Sequence, residues 1–174
     1  MVRITSLVAF AIVLTTDILY IALINAQGSS DDLPYVPRFV ASYLALLAAL
    51  IALALVPRPE MEPLRFPMRA AAAAGLFGVG ILASMSIGLP LVAAGILVGV
   101  ALGRTKPSGG STLRRLAGVA AALLSLAVAL VGLDVASRVI VCPEVGTSAG
   151  GGTHLLGGSY KYECNNGELS FHSG

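Results

Sequence analysis

The sequence predicts an all-α polytopic membrane protein: a bundle of about five transmembrane helices with a small extracytoplasmic tail, a β-hairpin stapled by a disulfide. Three observations predict it. Of 174 residues, 56% are hydrophobic and 11% charged, where an ordinary soluble domain carries about 25% charged residues. The apolar residues lie in blocks long enough for the ~20 residues of helix that cross a bilayer. The only two cysteines, Cys142 and Cys164, fall in a Gly-, Ser- and Thr-rich stretch after the last block. The domain division is therefore 1–141 for the bundle and 142–174 for an outer cap.

The first span is expected at 4–26, interrupted by Thr15, Thr16, Asp17 and Asn25. A signal peptide cleaved after Ala26 is the rival reading of this block. Ile24 is large for the third position before a cut, and Asp17 breaks the apolar core, so an uncleaved helix is preferred. The linker 27–34, with Asp31 and Asp32, has loop composition. The second span is expected at 39–56, stopped by Pro57, Pro59 and Pro63, which lack a backbone donor.

The apolar stretch 68–103 requires arithmetic. As one helix it would reach ~50 Å, well beyond the ~30 Å hydrocarbon core. It must turn back, and the break falls at 86–90, where Gly88 can take a positive φ and Pro90 can open a helix. This gives spans at 68–87 and 89–103. The latter is short, so a re-entrant hairpin is an alternative, and either version returns the chain to its starting side. The fifth span is expected at 116–141.

Orientation follows from the basic residues. Arg3, Arg58, Arg65, Arg69, Arg104, Lys106, Arg114 and Arg115 fall on one side of this layout. Arg38, Arg138 and Lys161 fall on the other, with Asp31 and Asp32. The positive-inside rule then places the N-terminus in the cytoplasm and the C-terminus outside the cell membrane. Tyr20, Tyr35 and Tyr43 group near the outer boundary, as interfacial tyrosines do.

An oxidising compartment makes Cys142–Cys164 a structural disulfide, worth ~3 kcal/mol in the chain-entropy model. The pair lacks the C-x-x-C spacing of redox dithiols. Alternating runs at 159–164 and 169–172 flank Asn166 and Gly167, a hairpin pattern in which both central residues take φ > 0. Tyr160, Tyr162 and Cys164 would share one face, Lys161 and Glu163 the other. His154 and His172 lack the close ligand pairs of zinc sites, so no metal is expected.

Within the spans, Asp17 is the most informative residue, because a carboxylate in hydrocarbon must face water or a partner. Asp134 and Arg138 lie one turn apart at similar depth. Asp17, Asp134 and Arg138 are therefore read as an intramembrane polar cluster, either lining an outward-facing path or locking the first helix to the last. Gly95, Gly99 and Gly103 form a row of small residues on the fourth helix, and Ala71, Gly75 and Gly78 offer a complementary surface on the third. These rows predict a close helical hairpin.

Several functions are excluded by what is missing. No histidine lies in any span to ligate a membrane haem. No nucleotide-binding glycine motif, serine–histidine pair or H-E-x-x-H is present. The net charge of +2 is too small to argue for nucleic acid. The inner basic residues need only the topology explanation. No enzyme activity and no cofactor are expected. The function expected is that of a scaffold or accessory subunit with the outer cap as contact surface. Its partners would be the lipid bilayer and other membrane proteins or a second copy. The alternative is a small transporter or channel subunit built around the Asp17/Asp134/Arg138 cluster.

Overall fold

Open backbone hydrogen bonds are too costly in hydrocarbon, so long apolar blocks close as helices. A computed structural model describes residues 2–27, 35–83, 87–105, 112–154 and 158–173. It contains α1 (Val2–Gln27), α2 (Tyr35–Leu55), a 3-10 turn (Pro59–Met61), α3 (Glu62–Leu82), α4 (Gly88–Gly103) and α5 (Thr112–Ser137). Strands β1 (Thr147–His154), β2 (Gly158–Asn165) and β3 (Glu168–Ser173) follow. Helices α1, α2 and α5 are long and apolar enough to cross a membrane. Helix α4 has 16 residues, ~24 Å at 1.5 Å per residue. Of the predicted linker 27–34, only Gln27 is described; Ser86 of the predicted break and the loop 106–110 also lie outside the described residues.

Two boundaries differ from expectation for a physical reason. Helix α3 begins at Glu62, six residues before the predicted start, because Pro63 occupies its first turn, where no donor is required. Pro67 is accommodated further inside the same helix. Helix α5 is displaced towards its N-terminus, taking in Arg114 and Arg115 and ending at Ser137. Hydropathy locates the apolar part of a helix, whereas backbone hydrogen bonding carries the helix through its polar flank.

Helix α3 is central, packing on α2, α4 and α5, while α1 packs on α2 and α4. A polar junction joins α2, α3 and α5. Tyr43 of α2 is 3% exposed, and its hydroxyl donates to the Ser125 carbonyl of α5 at 2.8 Å, with Ser125 Oγ at 2.7 Å. Gly75 of α3 gives them room: a Cβ there would lie 2.5 Å from Tyr43 Oη, 2.7 Å from Ser125 Oγ and 2.8 Å from Leu47 Cδ2. Tyr43 is thus a core residue, not the interfacial anchor the sequence suggested. Its hydroxyl finds a partner inside the bundle, as a buried tyrosine requires. Gly118 and Gly132 of α5 similarly receive the rings of Phe66 and Phe39.

The predicted turn between α3 and α4 is present, but its glycine acts differently. Gly88 has no positive φ; it opens α4, its N–H donating to Ala83 O at 2.8 Å. A side chain there would collide with the Gly80 carbonyl. The predicted small-residue row is corrected as well. Gly75 and Gly78 face α2 and α5, not α4, and a Cβ at Gly95 would lie 3.3 Å from the Phe77 ring. A Cβ at Gly99 or Gly103 would meet nothing within 4 Å. Gly99 and Gly103 therefore lie off the face of α4 that packs on its neighbours, which carries the buried Val98 and Ala101.

The cap is a three-stranded antiparallel sheet in the order β1-β2-β3, not the two-stranded hairpin expected. The turn between β2 and β3 is as predicted, with Asn166 at φ 47 and Gly167 at φ 87. The unpredicted strand β1 has the sequence Thr-Ser-Ala-Gly-Gly-Gly-Thr-His and no apolar alternation. Its glycines are what make it fit: Gly150 and Gly152 pair with Tyr162 and Tyr160, and side chains at either would strike those rings.

These contacts rank the glycines. Gly75→Leu should lower the melting temperature sharply or abolish expression, whereas Gly99→Leu should melt like the parent in detergent. Tyr43→Phe should cost about 1 kcal/mol, the scale of a hydrogen bond between membrane helices. Thermal unfolding of the three variants checks the ranking; equal damage at Gly75 and Gly99 would contradict it.

Candidate functional site

The predicted polar cluster divides into two separate features. At the end of α5, Arg138 donates from Nε and Nη2 to Asp134 Oδ2 at 2.9 and 2.6 Å. Four-residue spacing puts both groups on one side of the helix, and the cation lies at the C-terminal, negative end of the macrodipole. Asp134 is buried while Arg138 is half exposed. Asp17 does not join them: no ion pair within 4 Å links it to Arg138. Helix α1 packs on α2 and α4, while α5 packs on α3 and α2, so the Asp134–Arg138 pair does not lock the first helix to the last. Asp17 belongs to a buried face of α1 with Ser6, Ala9, Val13 and Thr16. It is 6% exposed, and its Oδ1 has no hydrogen-bond partner.

In the cap, Cys142 and Cys164 form the expected disulfide, S–S 2.02 Å, Cα–Cα 5.4 Å. It ties the centre of the sheet to the chain that leaves α5. Tyr160, Tyr162 and Cys164 share a face as predicted, the tyrosines stacking at 6.3 Å between centroids. Directly opposite on β3, Phe171 pairs with Tyr162 and Leu169 with Cys164. Asn166 secures the same end of the sheet, its N–H donating to Gly146 O at 2.9 Å while its Oδ1 accepts from Gly146 N at 3.0 Å.

A third feature was missed by sequence reading. Four helix ends converge at the basic end of the bundle around a cavity of about 240 Å³. Arg3 reaches it from the start of α1, Arg65 and Arg69 from the first half of α3, and Thr105 from just after α4. Val2, Ala54 and Leu55 form an apolar wall. Arg69 is 6% exposed; its Nη1 donates to Thr105 Oγ1 at 2.6 Å, and Thr105 Oγ1 donates to Ala101 O at 2.7 Å. Arg65 Nη2 donates to the carbonyls of Val56 at 2.9 Å and Arg58 at 3.2 Å, past the end of α2. The Nε groups of Arg65 and Arg69 are both buried without an acceptor, and no carboxylate lines the cavity among the described residues. A guanidinium cannot shed its proton to escape such a place, and an unmade buried hydrogen bond costs about 1–3 kcal/mol or more when charged.

No known protein family, curated protein or solved structure matches the chain. The site is therefore argued from its own geometry. The spacing of Arg65 and Arg69, one turn apart, was visible in the sequence. Their convergence with Arg3, 62 positions before Arg65 in sequence, depends on the antiparallel run of α1, α2, α3 and α4.

Among the three features, the Asp134–Arg138 pair yields an asymmetric expectation. Arg138→Ala removes two donors from a buried carboxylate and should cost about 1–3 kcal/mol. Asp134→Asn leaves a half-exposed guanidinium that water can serve, and should cost less. Unfolding of both variants in detergent checks the order, and a reversed order would refute it.

Proposed function

We propose that the chain is a small multi-pass membrane protein acting as a scaffold or accessory subunit, with the sheet as its outer contact surface. In this reading the helices make five crossings of the cell membrane. The N-terminus is cytoplasmic and the cap extracytoplasmic. Support for the orientation comes from Arg3, Arg65, Arg69 and Thr105 sharing one end of the bundle, the end on which positive-inside bias collects basic residues. Disulfide bonding of the cap agrees with an oxidising compartment.

The observation that carries the contact surface is on β3. Among the described residues this strand pairs with β2 alone, leaving its other edge open. Leu169 and Phe171 are 40% and 56% exposed, on the face that also holds Tyr162 and Cys164. An open strand edge beside an apolar row is a surface on which a second polypeptide can add main-chain hydrogen bonds and bury side chains. A second reading, as a transporter or channel subunit, is favoured by Asp17 alone, since the three-residue cluster is not assembled.

Two experiments test this reading. A photo-crosslinking residue at Phe171 should capture a discrete membrane-protein partner in native membranes, while one at Lys161, on the opposite face, should not. Failure at Phe171, or equal capture at both, would overturn the contact surface. Flux through proteoliposomes that is lost in Asp17→Asn without loss of folding would favour the transport reading instead. A reporter active only in the cytoplasm should be silent when fused after Gly174 and active when inserted within 106–110; the opposite pattern would reverse the orientation.

A further inference from the structure

We propose that the cavity between Arg3, Arg65 and Arg69 is a binding site for the phosphate of an anionic phospholipid headgroup. The inference rests on the bundle being embedded in a membrane, not on the identity of any protein partner. Three guanidinium-bearing residues from two helices converge on one cavity with no lining carboxylate among the described residues. Arg65 and Arg69 stand one turn apart, where like charges repel, so an anion between them relieves a repulsion the protein itself leaves in place. Their buried Nε donors are unpartnered. Planar guanidinium forks match the oxygens of a phosphate, which can accept from more than one arginine at once.

Depth and lining distinguish a lipid from a free ion. Arg69 lies seven residues into α3, ~10 Å along the helix at 1.5 Å per residue. A group anchored there is below the rim of the bundle, at the level where a headgroup meets its glycerol. The wall formed by Val2, Ala54 and Leu55 is apolar, which suits the glycerol and upper acyl carbons of a lipid and offers a free phosphate nothing. At about 240 Å³, against ~30 Å³ for each water in the liquid, the cavity has room for a phosphate and its ester linkage. Basic pockets between helices at a membrane surface take headgroups of this class.

The test compares the full-length protein in phosphatidylcholine nanodiscs with nanodiscs of phosphatidylcholine and phosphatidylglycerol in equal parts. The parent should melt higher in the mixed discs and carry phosphatidylglycerol in native mass spectrometry. Arg65→Gln and Arg69→Gln should each lower the preference for phosphatidylglycerol about tenfold, the value of a charge-assisted hydrogen bond. Arg115→Gln, an exposed arginine of α5 outside the cavity, should keep it. Should Arg69→Gln fail to fold, Arg3→Gln and Arg65→Lys provide the reading: the first removes an exposed charge and the second retains charge but loses the fork. Both should weaken the preference. The proposal is overturned if the cavity variants keep the parent's preference, or if the parent gains nothing from phosphatidylglycerol. It is also overturned if inorganic phosphate added to phosphatidylcholine discs stabilises the protein as much as the lipid does. Stabilisation by both disc types relative to detergent, without preference, would uphold membrane embedding and reject the site.

Discussion

The bundle depends on the approach of three helices at Gly75, where Tyr43 reaches across to Ser125. In lipid there is little hydrophobic gain in bringing helices together, because acyl chains are as apolar as leucine. Association must come from close packing and from polar groups that satisfy one another. The Tyr43–Ser125 contact supplies the polar link, and the missing side chain at Gly75 permits the distance. The same pattern recurs along α5, whose Gly118 and Gly132 receive Phe66 and Phe39. Phe39 also stacks on Tyr43, with ring centroids 5.9 Å apart. Helix α5 therefore acts as a row of sockets into which larger side chains of α2 and α3 fit.

The sheet applies this complementarity differently. So small a piece cannot bury much apolar surface, and Tyr162 and Cys164 are its buried residues among those described. Strand β1 contributes almost no side-chain volume of its own. Its glycines instead let the tyrosine rings of β2 lie across the neighbouring backbone, an arrangement in which an aromatic covers an otherwise open glycine strand. The disulfide at Cys164 and the Asn166–Gly146 hydrogen bonds then fasten one end of this thin core, where β1 begins and β2 ends.

What could be read from the sequence divides along these lines. Helix positions α1 and α4 follow from apolar length, and the Asn166–Gly167 turn from the residues that tolerate positive φ. The start of α3 was hidden because Pro63 was read with Pro57 and Pro59 as a breaker, although it is a helix opener. Tyr43 was assigned to the interface by its depth, and nothing local reveals that Ser125, 82 positions away, supplies an acceptor. Strand β1 lacks alternation because its partner's side chains do the covering. The Gly95–Gly99–Gly103 row was legible as a pattern, yet only at Gly95 would an added Cβ meet a neighbour within 4 Å. Spacing identifies residues on one face but not which helix that face meets.

The two ends of the bundle show how charge can be structural or available. At one end, Asp134 accepts two hydrogen bonds from Arg138, and the two opposite charges compensate each other. At the other, Arg65 and Arg69 spend one donor nitrogen each on uncharged acceptors, two backbone carbonyls and a threonine hydroxyl. Those bonds fix the orientation of the guanidinium groups but leave their charge uncompensated. A paired charge contributes to the fold and has little left to offer a ligand. An oriented, unneutralised charge costs the fold something, and that cost is recovered only when an anion arrives. Arg69 makes the contrast sharpest, because its burial removes the water that would otherwise screen it, and it is held in place by Thr105, 36 positions away just after α4. The geometry that is costly to the fold is thus the same geometry that suits an anion.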